Sequence, residues 1–320
     1  MESHYSWNKE HKEDILCNIF DFNIPEYSIT DTCYEDMYDN FFNKFGCMII
    51  KGVYSDNIMT EYDNWCGEIY DEIKDDKNIN HAIQKDKILF NNIIERMGQT
   101  NPKLLYTLLG HHKLNNILDN LLGFAKIGSC TGHKVLKGGD RQETHVDYPI
   151  HLNSGSFWKD DGGVSKVKKI ITRYQLNYVL PYFSLQSLTA VCDMDENNGS
   201  TEVIPCSHKI PDIDIKLRDQ KYREEIEKYF INVNLKKGDV LIFNRRLCHR
   251  GGRNESDKDR NALITQYVWS WGLGQEYIKY ESFFDYLNGA DEFNKLSEED
   301  KELFKLRFKF EYPLDVSERG

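Results

Sequence analysis

The sequence predicts a mainly β protein with flanking helices, its core a double-stranded β-helix of the jelly-roll, cupin-like kind. Three observations predict it. From Phe124 to Trp271 short apolar runs alternate with turns rich in Gly, Asn and Asp, the rhythm of an antiparallel jelly roll. Aromatic residues make up 13% of the chain, with 19 Tyr and 17 Phe, which suits a sheet-rich core. On either side of that region apolar residues recur at helical spacing instead. A chain of 320 residues can bury one substantial core, so a single domain is expected over residues 1–320. Within it, 1–123 reads as a mostly helical cap with an early strand, 124–271 as the jelly roll, and 272–320 as a helical tail.

In order along the chain, Tyr34 to Gly46 has apolar residues at helical spacing and stops at a glycine, a common C-terminal signal. Cys47 to Val53 then reads as a strand. Ile58 to Lys74 is helical, and Lys103 to Gly123 suggests a further pair of helices. Lys237-Gly238-Asp239 is a turn signal, and Val240 to Phe243 after it has strand composition. Arg260 to Trp269 is another strand, opening on an arginine. In the tail, Ser297 to Phe308 reads as an amphipathic helix with a serine cap; it is expected to pack on its own molecule, with a dimer contact as the alternative. There is no internal repeat and no low-complexity tract.

Chemistry concentrates in Thr144-His145-Val146-Asp147-Tyr148 and, about a hundred residues later, Cys248-His249-Arg250. A His and an Asp two positions apart on an extended strand point to the same face. One further imidazole from a neighbouring strand completes two nitrogens and one carboxylate on one side of a metal, a set that suits non-heme Fe(II) with open positions. A lone His-x-Asp is commonly a surface pair. The turn and apolar strand leading into His249 give this one weight. Arg260 adds a planar guanidinium that matches a carboxylate bidentately.

Between these motifs runs Gln186 to Lys209, with Asp195-Glu196-Asn197-Asn198-Gly199 and Ile204-Pro205-Cys206-Ser207-His208. This segment resembles the strand, Glu-Asn-Gly turn and Ile-Pro-Gly-Ser-His pattern of the phytanoyl-CoA dioxygenase family of Fe(II)/2-oxoglutarate oxygenases. The order agrees as well: His-x-Asp, this segment, the distal His, then an Arg eleven residues on. The resemblance spans about residues 124 to 270. It implies that His145, Asp147 and His249 hold iron and that Arg260 pairs with the distal carboxylate of 2-oxoglutarate, with Arg253 as the rival. Gln186 is a candidate near the co-substrate. His208 is left out of the metal set as a residue expected to bond backbone. Two departures stand out. Gly251 replaces a Ser often found two residues after the distal His, which leaves the second co-substrate anchor open. Cys206 replaces the Gly of the Pro-Gly-Ser-His turn, so altered turn geometry is expected there.

The implied activity uses Fe(II), 2-oxoglutarate and O2, with ascorbate as an in vitro reductant. An unactivated C–H bond of a small polar metabolite is oxidised, hydroxylation being the leading outcome, while 2-oxoglutarate is decarboxylated to succinate. Asp147 argues against halogenation, which needs a small residue there. Desaturation or oxidative cyclisation of an amino-acid-derived natural product would use the same ligands. A jelly roll alone implies no reaction, so a non-catalytic binding protein is the reading from another class; the complete ligand set and arginine favour the enzyme.

Substrate choice is expected in the lid-like insert 148–182, with Tyr148, His151, Trp158 and Arg173 as candidate pocket residues and Arg253 beside them. His151 is not expected to ligate, since Pro149 interrupts the strand. A net charge of −11 disfavours nucleic acid and anionic membranes as partners, leaving a small-molecule substrate and a monomer or homodimer. The eight cysteines form no Cys-x-x-Cys pair, and neither a signal peptide nor a membrane span is visible, so a cytoplasmic setting is expected.

Overall fold

Strict alternation in the second half of the chain sorts side chains onto two sheet faces, and both faces are covered. The computed structural model describes residues 23–73, 82–84, 87–90, 93–147, 184–210, 213–269, 285 and 287–309. Its strands are β1 (Glu26–Ser28), β2 (Cys47–Lys51), β3 (Ala82–Gln84), β4 (Lys87–Phe90), β5 (Lys126–Val135), β6 (Ser184–Ala190), β7 (Thr201–Val203), β8 (Ile231–Asn232), β9 (Val240–Asn244), β10 (His249–Gly251) and β11 (Arg260–Val268). One mixed sheet of eight strands runs β1-β2-β9-β6-β11-β5-β4-β3, with β1 parallel to β2 and the other pairs antiparallel. A second, three-stranded antiparallel sheet runs β10-β7-β8.

In β9, Val240 and Ile242 join the larger apolar cluster, while Leu241 and Phe243 join a second cluster with Val203 of the small sheet. The same split divides Met48 and Ile50 from Cys47 and Ile49 in β2, and Leu263 from Ala262 in β11. Period-two geometry forces this sorting, and a strand buried on both faces reads as a continuous apolar run. The first face packs on helices.

These helices are α1 (Tyr34–Tyr38), α2 (Asp56–Ile73), α3 (Ile93–Thr100), α4 (Pro102–Leu109) and α5 (His112–Leu122); α6 (Ile213–Lys216), α7 (Gln220–Ile226), α8 (Asp291–Asn294) and α9 (Glu298–Leu306) follow. Beyond α1, residues Asp39–Lys44 continue in wider turns, with Phe45 N–H donating to the Asn40 carbonyl and both Phe41 and Phe42 buried. Asn101 caps α4 by accepting from Leu104 N–H at 3.0 Å, with Pro102 in the first turn where no donor is needed. Ser297 caps α9 in the same way at 3.1 Å. Helix α9 packs on its own molecule: the Phe304 ring meets Tyr106 and Phe293. The next residue but two, Arg307, forks onto Asp119 at 2.9 and 2.7 Å.

The cap is less helical than the sequence predicts. Strands β3 and β4 form a hairpin that extends the large sheet beyond β5. At three and four residues they are too short for period two to be visible in the sequence. Among the described residues no helix is long and apolar enough to cross a membrane.

Candidate metal centre

His145 and His249 sit opposite one another as a hydrogen-bonded antiparallel pair: His145 N–H donates to the His249 carbonyl at 3.1 Å, and His249 N–H returns the bond at 3.0 Å. This is a single bridge and not the regular strand expected around His145. It does the same work, because side chains at a directly opposed pair leave the same face. The imidazole centroids are 4.4 Å apart. Two residues on, Asp147 N–H donates to the Arg245 carbonyl at 2.9 Å, which holds the extended course and turns its carboxylate to the same side.

The Asp147 carboxylate lies 3.4 Å from His249 Nε2 and 3.9 Å from His145 Nε2. One ligand atom from each of the three lies within 4.8 Å of the others, a group able to hold one metal ion. The tautomers follow from the opposite ring atoms. His145 Nδ1 is 2.8 Å from the Glu143 carbonyl and His249 Nδ1 is 2.9 Å from the Leu247 carbonyl. A carbonyl oxygen only accepts, so each Nδ1 carries the proton and each Nε2 keeps its lone pair toward Asp147.

Charge couples the three groups. Burial and the neighbouring His249 lower His145 to about 4. Burial alone would raise Asp147, but His249, Arg245 and His145 hold its carboxyl below the ordinary range. His249, whose burial works against protonation, is raised by Asp147.

A cavity of about 310 Å³ opens from the triad and is walled by both sheets. Registers explain its lining. Lys87 and Arg260 flank Val135 across three strands, and the same face carries His133 beside Ala262, then Thr131, Ile264 and Leu188. Arg260 is 4% exposed, yet among the described residues its only hydrogen bond runs to Met194 Sδ at 3.4 Å and its Nε has no acceptor. Burial draws the guanidinium down to about 10. Lys87 is lowered by burial and then by Arg260. Burial, Lys87 and Arg260 push His133 down to about 3. Buried cations without a counter-ion are costly, so this end of the cavity is built for an anion.

Arg260 opens the strand that follows the one bearing His249, as the sequence predicts; the two strands lie in different sheets and face one cavity. Gln186 lines the cavity, with Oε1 unpartnered. Arg253 does not: its side chain is 58% exposed and lies 3.9 Å from Asp140 and 3.8 Å from Glu255. Tyr148, His151, Trp158 and Arg173, and with them the lid-like insert, fall outside the described residues. His208 Nε2 donates to the Phe42 carbonyl at 3.1 Å, away from the triad. Gly251 has a local cause: its N–H donates to Gln142 Oε1 at 2.7 Å, the same distance at which an added Cβ would strike that atom. Cys206 corrects the expectation of altered turn geometry, since it keeps the left-handed conformation at φ 66° that a glycine would adopt. Lys87, His133, Thr131 and Arg245 also line the cavity and were not singled out from sequence. Only the β4 pairing, invisible in the sequence, brings Lys87 there.

Several solved structures share this fold. The non-heme alpha ketoglutarate dependent epimerase SnoN from nogalamycin biosynthesis matches with a TM-score of 0.53 at 14% identity, over 74% of this chain and 84% of that one. EctD from S. alaskensis, solved with bound Fe, matches at 0.53 and 14%, over 78% and 82%. HygX from Streptomyces hygroscopicus, solved with nickel and 2-oxoglutarate, matches at 0.51 and 13%, over 76% and 90%. At such identities these are likenesses of fold. The family model described as phytanoyl-CoA dioxygenase (PhyH) matches residues 42–262, well over half of the chain and the stretch that carries both imidazoles, the carboxylate and Arg260. The chain accordingly belongs to the phytanoyl-CoA dioxygenase (PhyH) family and is an Fe(II)/2-oxoglutarate-dependent dioxygenase.

Proposed function

We propose that His145, Asp147 and His249 bind the iron, that Arg260 with Lys87 beside it holds the distal carboxylate of 2-oxoglutarate, and that the enzyme hydroxylates a C–H bond of a small polar metabolite. The two sheets are read as the walls of a double-stranded β-helix in a single oxygenase domain. The observation carrying the assignment is the pair of Nδ1–carbonyl bonds, which leaves two Nε2 lone pairs facing one carboxylate. The donor set of two imidazoles and one carboxylate with open positions fits ferrous iron.

When bound, the iron with 2-oxoglutarate and O2 supplies oxidising power for an unactivated C–H bond, coupled to decarboxylation of 2-oxoglutarate to succinate. The chain supplies position and charge. Glu143 and Leu247 carbonyls fix both rings. Arg260 and Lys87 give the far carboxylate a charged seat, which sets how the keto acid end reaches the metal. Leu188, Ala262 and Ile264 add apolar wall between the polar side chains of the cavity.

Purified protein given Fe(II), ascorbate and 2-oxoglutarate should release succinate slowly without a substrate, and faster when a metabolite screen meets its substrate. His145→Ala should lose iron binding and this release together. Release unchanged in that variant would overturn the assignment, and absence of release in wild type would favour a binding protein. Product analysis separates hydroxylation from desaturation and ring closure, which the same residues can serve.

A further inference from the structure

The arginines around the cavity divide sharply by how well they are satisfied. Arg250 is fully paired: it donates to Glu202 at 2.5 Å and to both oxygens of Glu227 at 2.7 and 2.6 Å. Arg246 is tied to the His208 and Ile210 carbonyls at 3.2 and 3.1 Å. Arg260 has no ion-pair partner among the described residues, and the co-substrate accounts for it. Arg245 also has no ion-pair partner among the described residues, and nothing yet accounts for it.

Arg245 is 2% exposed, follows directly on β9 and lines the cavity at the end where the triad sits. Among the described residues its one hydrogen bond is a long contact of 3.3 Å from Nη2 to the Asp147 carbonyl, and its Nε has no acceptor. A guanidinium has five N–H donors. No carboxylate lies within ion-pair distance of it among the described residues. The anion it senses is Asp147, which also faces both imidazoles. A structural arginine at this burial would be satisfied as Arg246 is.

Charge counting along the cavity leads the same way. Lys87, Arg245 and Arg260 face a single carboxylate, Asp147, in a chain that is acidic as a whole. A ferrous ion adds two positive charges and 2-oxoglutarate removes two. The cavity with both bound still carries an excess of positive charge, and Arg245 is the cation left at the metal end.

Building on the proposed function, the geometry points to Arg245 as the residue that selects the substrate: a small carboxylic acid whose carboxylate docks on the Arg245 guanidinium and so places a neighbouring C–H bond at the metal. A planar carboxylate matches the fork bidentately, whereas the neutral amide of the same skeleton offers one acceptor and no charge.

The test uses the full-length protein loaded under nitrogen with Fe(II) and 2-oxoglutarate, whose metal-to-ligand charge-transfer absorption reports on a substrate arriving beside the iron. The probes are free amino acids and short organic acids, each matched with its primary amide. Carboxylates should perturb the absorption and their amides should bind about thirtyfold more weakly or worse, the range for removing one partner of a buried charged pair. Arg245→Gln should abolish this preference while leaving the 2-oxoglutarate dissociation constant within about twofold by calorimetry, and Arg245→Lys, which keeps the charge but not the fork, should retain part of it. Acids and amides acting alike, or no carboxylate response that depends on Arg245, overturns the inference. A loss of 2-oxoglutarate affinity in both variants, with circular dichroism unchanged, also overturns it, because the guanidinium then serves the co-substrate. Wild-type protein that fails to bind Fe(II) and 2-oxoglutarate before any probe is added sinks the functional reading, and this inference with it.

Discussion

Arg260 and Lys87 stand in one row across β11, β5 and β4, so each raises the electrostatic cost of the other until an anion arrives. The two should not contribute equally. Arg260 is deeply buried and presents a fork; Lys87 is a point charge at the margin of the sheet. Arg260→Ala should raise the 2-oxoglutarate dissociation constant about a hundredfold, and Lys87→Ala about tenfold, the larger loss following from a buried charge left without its partner. Iron binding should be spared in both, since neither side chain is a ligand, although Lys87 is near enough to act on the charges of Asp147 and His145. Calorimetric titration with 2-oxoglutarate under nitrogen checks this, and an unchanged constant in Arg260→Ala would pass the role to Lys87. Only Arg260 of this pair was legible in the sequence, because a strand of nine residues announces itself while one of four does not. Arg245 was hidden for a different reason: in the run Asn244-Arg245-Arg246 two adjacent arginines look equally exposed, and only the fold buries both and satisfies one.

At the scale of elements, the turn after β7 is where this chain departs most informatively from its family pattern. Cys206 is the one non-glycine residue with positive φ among those described, and its N–H still donates to the Phe45 carbonyl at 2.8 Å. The turn keeps its shape because that bond and the short helical turn at Ser207–Lys209 demand it, and the β-carbon bears the strain. A left-handed conformation costs an L-residue roughly 1 to 2 kcal/mol that glycine avoids, less what glycine loses in backbone entropy. Cys206→Gly should therefore be more stable by about 0.5 to 1 kcal/mol in urea unfolding, with the same dependence on denaturant. Lower stability would mean that the thiol packs better than its partial exposure suggests. Strands β2, β9 and β11 and helices α2, α4, α5 and α9 were legible because periodicity or composition survives in runs long enough to count. The His145 segment was legible only through its chemistry: its extended course comes from pairing with β10, a tertiary effect that no local pattern encodes.

Across the whole molecule, His208 fastens the helical layer to the site-bearing sheets. It lies on the chain joining β7 to α6, is fully buried, and donates from Nε2 to the Phe42 carbonyl while crowding Gly46, whose φ of 81° and missing β-carbon leave it room. Burial pushes its pKa down to about 3. Unfolded, the same imidazole titrates near about 6.5, so between these values the unfolded chain binds the extra proton. The stabilisation from keeping it neutral is thus complete above about pH 6.5 and is lost as pH falls toward 3, at up to about 1.4 kcal/mol per pH unit. His208→Gln keeps a donor without a titrating group. The variant should be less stable than wild type at pH 7, through imperfect packing, yet lose less stability between pH 7 and pH 5, by about 1 to 2 kcal/mol in urea unfolding. Acidification also relieves repulsion in a chain of net charge −11, but that change is common to both proteins and cancels in the difference. If the two lose stability in parallel, His208 takes up its proton as readily in the folded chain as in the unfolded one, and the fastening between the layers rests on packing around Gly46 and Phe42 instead.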